Sequence, residues 1–442
     1  MPPELAAVVM AGGLGTRMRS ATSKHFHPLL GQPLIAWVFD AIAALEPERT
    51  IAVTQPETRD SFPGVITVVQ DPPLGTGDAV ASVRDELSGF DGDILVMAGD
   101  TPLVTGELLA GAVAKHREQE ADVTVLSFVP DRPLPYGRPV RGADGSLRAI
   151  VEDDHATPEQ RETKEVTAWP IVFRAAALWP ALDAVEVDPA KGEIYLTHAV
   201  ANVIAAGGRG AVFECPDPAA PIGVNTRADL AHAAAVLRDR VNEAHMLDGV
   251  TIVDPQTTWI EKPVELEPDC VVHPFTVLRG STRVAGGAEI GPHAIAEDAD
   301  IGPDAEVGPF CYLRPGTVLA AGAKAGTFVE IKNARVGERS KVPHLSYVGD
   351  AEIGEDTNIG AGAITANFPH EPGRPKQRTK IGRNVRTAVH NAFVAPVEIG
   401  DDAWTAAGSV ITDDVPPGSL AGFPPRQITK EGYVRAKRGD DD

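Results

Sequence analysis

From Val271 to Ala366 the chain sets one aliphatic residue every six positions. Ile295, Ile301, Val307, Leu313, Leu319, Ala325 and Ile331 hold that spacing, and Gly302, Gly308 and Gly326 follow three of them. After a slip of one residue the pattern resumes at Val336, Val342, Val348, Ile353 and Ile359, four of them followed by glycine. A helix, with a period of about 3.6, cannot give this spacing, nor can a strand with a period of about 2. A hexapeptide repeat does, each inward aliphatic marking one short side of a coil in a left-handed parallel β-helix. Small and β-branched residues suit so narrow an interior. Such a solenoid leaves flat outer faces that favour symmetric association, here a homotrimer.

The first half carries a different pattern. Short apolar runs at Leu5–Met10, Thr50–Thr54, Gly64–Gln70, Asp93–Ala98, Asp122–Phe128 and Trp169–Phe173 alternate with amphipathic stretches. That alternation predicts an α/β, Rossmann-like domain with a mostly parallel sheet and helices on both faces. Between the halves, Leu230, Ala233, Ala234, Leu237, Val241 and Ala244 recur at helical spacing within Arg227 to Leu247. The boundaries so drawn are an α/β domain over 1–227, a linker helix over 228–247, the β-helix over 248–428 and a polar, disordered tail over 429–442.

Aromatics make up only 5% of the chain, consistent with the narrow solenoid. A formal charge of −22 and a pI near 4.9 give no nucleic-acid footprint and argue against a membrane surface. Three cysteines, Cys215, Cys270 and Cys311, show no metal-ligand spacing and suit reduced thiols in the cytoplasm. An acidic chain can still bind anions where cations gather locally.

The ends of the predicted strands are where ligands sit in such a sheet. After the first strand comes Ala11-Gly12-Gly13-Leu-Gly-Thr-Arg17-Met18, a strand, glycine turn and helix able to offer backbone N–H groups to phosphate. It is neither a Walker loop nor a dinucleotide fingerprint. Arg17 and Lys24 add cations suited to a triphosphate. Gln70 with Gly75 and Thr76 offers an amide and a close turn to a base. Asp100 ends another strand, and Asn225 could add a neutral oxygen, a donor set that suits Mg2+.

Taken together, Ala11 to Met18, Lys24 with His27-Pro28, Leu74 to Gly77, Gly99-Asp100, Tyr136-Gly137-Arg138, Ile150-Val-Glu152, Ala156-Thr157-Pro-Glu-Gln160, Tyr195-Leu-Thr197 and Gly223-Val-Asn225 resemble the sugar-1-phosphate nucleotidyltransferases. The resemblance runs from about Ala6 to Gly432. The best match is the bacterial bifunctional N-acetylglucosamine-1-phosphate uridyltransferase/glucosamine-1-phosphate N-acetyltransferase family. It implies that Ala11, Gly12, Gly13, Gln70, Gly75 and Thr76 bind UTP and that Arg17 and Lys24 activate its phosphates. It further implies Mg2+ on Asp100 and Asn225, and sugar contacts from Gly137, Glu152, Thr167 and Asn225. In the β-helix it implies His344 as general base, with Arg314, Lys332, Tyr347, Asn358 and Asn367 around glucosamine 1-phosphate. Ala361, Val389 and Ala407 would then face acetyl-CoA.

Departures from the family pattern open alternatives. Ser23 replaces the proline before Lys24, and Ala98 a tyrosine before Gly99-Asp100. Thr167-Ala168-Trp169 stands where the family has Asn-Thr-Gly. Asn367-Phe368-Pro369-His370 replaces Asn-Tyr-Asp-Gly, with about three extra residues before Ile381. Val389 replaces a serine, and the terminal arginine falls near Pro424, with Arg426 two residues on. A nucleotidyltransferase for another sugar 1-phosphate, with the β-helix for trimerisation or regulation, is therefore the alternative; the Thr167 segment is its main argument. A catalytically silent trimeric scaffold is opposed by Lys24, Asp100 and His344.

Overall fold

The structure is a computed structural model that describes residues 3–13, 15–189, 192–369, 371, 373–422, 427 and 429–438. The expected features at His370, Pro424 and Arg426 and the end of the tail, 439–442, lie outside the described residues. The chain divides into two compact units, Met1–Leu237 and Arg238–Asp442. Among the described residues no helix is long and apolar enough to cross a membrane.

The first unit is built on a seven-stranded sheet. Its strands in chain order are β1 (Leu5–Met10), β2 (Arg49–Thr54), β3 (Ile66–Val69), β4 (Asp93–Ala98), β5 (Val123–Phe128), β6 (Val166–Arg174) and β7 (Gly210–Glu214). In space they run β7, β5, β6, β4, β1, β2, β3. All neighbours are parallel except β6, which is antiparallel to both β4 and β5. The predicted apolar runs are strands β1 to β6; β1, β4 and β5 show no alternation because both of their faces are buried, whereas β3 lies at the sheet edge and is partly exposed. Hydrophobic clusters lie on both sides of the sheet, around Val8, Ile94 and Phe173 on one and Val9, Leu95 and Val172 on the other.

Two features of this unit differ from the expectation. Strand β7 and the hairpin Arg138–Arg141/Leu147–Val151 were not predicted, being short and broken by charge and glycine. The strand expected at Trp169 begins at Val166. Pro170 sits inside it because the register against β5 jumps from Ala168 opposite Leu126 to Ile171 opposite Val125. Trp169 and Pro170 fill that bulge, so the missing N–H of proline costs no ladder bond.

The helix Arg227–Leu247 matches its predicted span. Its first part buries Ala233 and Leu237 against Leu29, Leu34, Leu103 and Val224. Val241 packs on the core of the second unit, but Ala244 is exposed. The buried residue there is Asn242, whose amide donates to the carbonyls of Pro255 and Thr258 at 2.9 and 3.0 Å.

The second unit is the parallel β-helix. Its short strands stack into three long faces, each strand pairing with one a full coil later, as Val271 does with Glu289 and Ile295 with Tyr312. One phase of the predicted pattern needs correction. Ile295 is only half-buried, and the inward residue of that strand is Ala296, in line with Leu278 and Leu313. The one-residue slip therefore also falls between Ala296 and Ile301, as it does between Ile331 and Val336. Two residues before each inward aliphatic stands a second buried side chain, mostly small: Cys270, Thr276, Thr282, Ala288, Ala294, Ala299, Ala305, Cys311, Thr317 and Ala323. Leu313 and Leu319 are buried as the spacing predicts, and Leu278 and Phe393 are larger side chains that join them in the interior. Cys270 and Cys311 are packing residues at these corners. Burial pushes their thiols up, to about 11 and about 12.

Candidate functional sites

At the carboxyl end of the first unit's sheet, residues far apart in sequence meet. Lys24 Nζ lies 2.5 Å from Asp100 Oδ2 and donates to Asn225 Oδ1 at 3.2 Å. Arg17 donates to the same Asn225 oxygen at 2.9 Å. Lys24 is buried, and the backbone makes room for it at Gly15, which has φ 58°; a Cβ there would stand 2.9 Å from that of Lys24. The helix expected after the loop is a three-residue turn of 3-10 helix, Thr16–Met18. The N–H of Ala11 is committed to Val53 O at 2.7 Å. Positive charge at this end thus rests on Arg17 and Lys24 rather than on a helix N-terminus.

Asp100 Oδ2 and Asn225 Oδ1 both contact one ammonium, so a carboxylate and a neutral oxygen converge on one point. That donor pair fits a hard cation completed by phosphate and water. Among the described residues no group of three His, Cys, Asp or Glu side chains could form an all-protein cage. Asn225 is held from behind by Asp229, which accepts from the N–H groups of Asn225 and Thr226 at 3.1 and 2.8 Å. His25, which sequence reasoning missed, is buried beside the pair. Burial drives its pKa down to about 4, with Asp100 opposing and Lys24 adding, so the ring is neutral near pH 7.

A cavity of about 260 Å3 opens beside this cluster, lined by Arg17, Asp100, Tyr136, Gly137, Glu152, Thr167, Trp169 and Asn225 among others. Glu152 accepts from Thr197 Oγ1 at 2.6 Å. Thr167 donates its hydroxyl to Gly137 O at 3.1 Å. Gln70, Gly75 and Thr76 form a separate wall: Gln70 Nε2 donates to Gly75 O and Asp78, and Thr76 Oγ1 accepts from Leu196 N–H. Gly12 abuts Gln70 Oε1, and Gln55 holds its carbonyl at 2.8 Å. Gly75 has φ 110°, and a Cβ there would meet Ile194 O at 2.6 Å.

In the second unit four of the resemblance-implied residues stack along one corner, and Arg314, Lys332, Tyr347 and Asn367 lie in or just after the strands of the next face. The carbonyl of His344 accepts from Gly362 N–H, that of Ala361 from His390 N–H, and that of Val389 from Gly408 N–H. His344, Ala361, Val389 and Ala407 therefore stand on successive coils. The His344 side chain is exposed, as are Val389 and Ala407. Arg314 is paired with Glu330 at 2.7 Å. Asp350 accepts from Asn333 and Asn367, both at 2.5 Å, and fixes the Asn367 amide. Gly349 leaves room for the Tyr347 hydroxyl, which a Cβ would strike.

The loop after Asn367 delivers Lys376 beside Lys332, a neighbour that the sequence did not reveal. Lys376, by contact and then by charge, and Arg314 after it, lower the pKa of Lys332. Adjacent ammonium groups of this kind make a place for an anion. Asn358 lies on the face that leads into the corner of His344 and Ala361, bridging Lys341 and Arg386.

Comparison with known proteins covers both units. Residues 7–200 match the MobA-like NTP transferase domain. The bifunctional protein GlmU of Streptomyces avermitilis is 45% identical, over 98% of this chain and 94% of that protein. That of Streptomyces coelicolor is 44% identical over the same shares, and that of Mycobacterium tuberculosis 43% over 99% and 93%. The chain belongs to the GlmU family.

Within that family its own features are now placed. Thr167 has spent its hydroxyl on the backbone, and Trp169 lines the same cavity while packing on both hydrophobic clusters of the first unit. Val389 stands on the coil between Ala361 and Ala407, a methyl-bearing side chain 46% exposed at the corner.

Proposed function

We propose that this GlmU-family chain is a bifunctional enzyme of UDP-N-acetylglucosamine synthesis. Its second unit transfers acetyl from acetyl-CoA to glucosamine 1-phosphate, and its first transfers uridylyl from UTP to N-acetylglucosamine 1-phosphate. The single observation that carries this reading is identity of 43–45% to bifunctional relatives along essentially the whole chain, so that both units are matched.

In the uridylyl reaction a phosphate oxygen of the sugar 1-phosphate attacks the α-phosphorus of UTP. The bond to the β-phosphate breaks and pyrophosphate leaves, so no protein nucleophile is required. Arg17 and Lys24 neutralise the phosphates, Gln70, Gly75 and Thr76 hold the base, and Gly137, Glu152 and Thr167 meet the sugar. Asp100 and Asn225 would hold Mg2+, which supplies charge neutralisation on the phosphates when bound. Support comes from the convergence of Arg17, Lys24, Asp100 and Asn225 at the mouth of one cavity.

In the acetyl reaction the amine attacks the thioester carbonyl, His344 takes the amine proton, and the carbon–sulfur bond breaks to release the thiol. Arg314, Lys332 and Lys376 receive the sugar phosphate, and Asp350 positions Asn367 beside Tyr347. The exposed corner at His344 and the lysine pair support this assignment. The reading extends to a homotrimer in the cytoplasm, supported by the long flat faces of the solenoid and by cysteines that are all free. Purified protein offered a panel of nucleoside triphosphates, sugar 1-phosphates and acetyl-CoA should release pyrophosphate with UTP and thiol with glucosamine 1-phosphate. Release of neither product would refute it.

A further inference from the structure

One outer column of the β-helix runs past the acetyl-transfer corner and continues beyond it. Lys341 bridges to Asn358 and Asn358 to Arg386; Arg386, Trp404 and Leu420 are then successive ladder partners. Thr387 and Thr405, the next residues along, are buried, which turns Arg386 and Trp404 outward on the same face. Three residues further on each coil stand His344, Ala361, Val389 and Ala407. Arg386 and Trp404 thus share coils with Val389 and Ala407, beyond Asn358 as seen from His344.

Their chemistry is out of place on an ordinary outer face. Trp404 is 61% exposed, with Leu420 70% exposed beside it. An open indole offers a π-face of the kind on which nucleobases stack. Arg386 NH1 donates to the carbonyls of Asp356 and Val385, which anchors the guanidinium in the neighbouring row. The carboxylate of Asp356 is bound by Arg339 through both oxygens at 2.8 Å, so it is already engaged. The backbones of Arg386 and Trp404 stand one ladder step apart, about 4.8 Å. From the coil of His344 to that of Trp404 is three such steps, about 14 Å, so an extended acyl carrier could have its thioester at one end and its nucleotide at the other.

We infer that Arg386 and Trp404 read the nucleotide end of the acyl-coenzyme A, the indole stacking on adenine and the guanidinium meeting a phosphate. The inference rests on the acetyl-transfer reading above and deepens it. These two side chains supply affinity on the side of the site where the family's serine is replaced by Val389.

Calorimetric titration of the whole protein with coenzyme A tests this apart from turnover. Trp404→Ala should weaken binding about tenfold, the usual scale of a base–aromatic stack, and Trp404→Phe should restore most of it. Arg386→Gln should weaken it severalfold, with a smaller loss for 3′-dephospho-coenzyme A if the 3′-phosphate is the group held. In turnover, the preference for acetyl-CoA over acetyl-pantetheine, which lacks the nucleotide, should fall by the same tenfold in Trp404→Ala. Wild-type affinity in both Trp404→Ala and Arg386→Gln would overturn the inference even if acetyl transfer is confirmed. So would a failure of the wild-type protein to bind coenzyme A. Loss of affinity in the variants of a protein that releases no thiol would sustain the inference while the catalytic reading failed.

Discussion

On the proposed mechanism, the Lys24–Asp100 pair is the point on which the uridylyl chemistry would turn. Each removes an electrostatic contact if truncated, so Lys24→Ala and Asp100→Ala should each slow pyrophosphate release on the order of a hundredfold or more. Because the two side chains touch, their losses should not add, and the double variant should be little worse than the poorer single one. Steady-state pyrophosphate assays decide this, and near-wild-type turnover in either single variant would remove the pair from the mechanism. Thr167 makes a subtler case. Its hydroxyl serves Gly137 O, so the proposed sugar site would lack an amide partner at this wall. Use of N-acetylglucosamine 1-phosphate should accordingly be weaker than in a relative carrying asparagine. Thr167→Asn alone should recover little while Trp169 lines the cavity; kcat/KM for the two proteins and the variant is the check. These residues were readable from their motifs, but their meeting was not. Arg17 and Asn225 are 208 positions apart, and nothing local in either segment encodes the contact.

At the scale of elements, the hexad spacing made the solenoid legible because an inward residue per short side leaves a period no other element produces. Its phase was harder to read. Ile295 is the more hydrophobic residue, yet the ladder turns Ala296 inward. Ala296→Asp should therefore destabilise the second unit by several kcal/mol, as an unpaired buried charge does, and Ile295→Asp by clearly less. Chemical denaturation of the two variants would show the order, and a reversed order would return the core to Ile295. In the first unit, Asp93 starts a central strand and meets Arg117 at 2.7 Å and His116 at 3.5 Å, fastening the helix Gly106–Glu118 to the sheet. Burial works against this carboxylate, but His116 and Arg117 outweigh it and hold its pKa below the ordinary range. Its contribution is thus complete above the unfolded value of about 3.9 and is lost as pH falls through the lower folded value. The stability gap between wild type and Asp93→Asn should narrow on acidification through that window. A gap that stays constant with pH would mean that the proton is not linked to folding.

For the whole molecule, two chemistries on one chain should be separable. His344→Ala should depress kcat for thiol release while leaving pyrophosphate release intact, and Lys24→Ala should do the reverse. Parallel assays of both products on both variants test it; simultaneous loss in either would mean that the substitution acts through global damage. Less of the second site than of its scaffold was legible from sequence. Asp350 and Lys376 carry no periodic signal, since one works through a buried hydrogen-bond relay and the other arrives on an excursion from the repeat. That excursion has a consequence of its own. Ala351 pairs with Thr379 and Ile353 with Ile381, as neighbouring coils do elsewhere, although far more chain separates them than the span from Val271 to its partner Glu289. The loop leaves and rejoins the ladder without changing which strands are partners above or below. Its length is decoupled from the load-carrying stack, so it behaves as an exchangeable cassette. A side chain such as Lys376, proposed above to meet the sugar phosphate, can be rewritten there by insertion or deletion, at a tempo of change that the coils themselves could never tolerate.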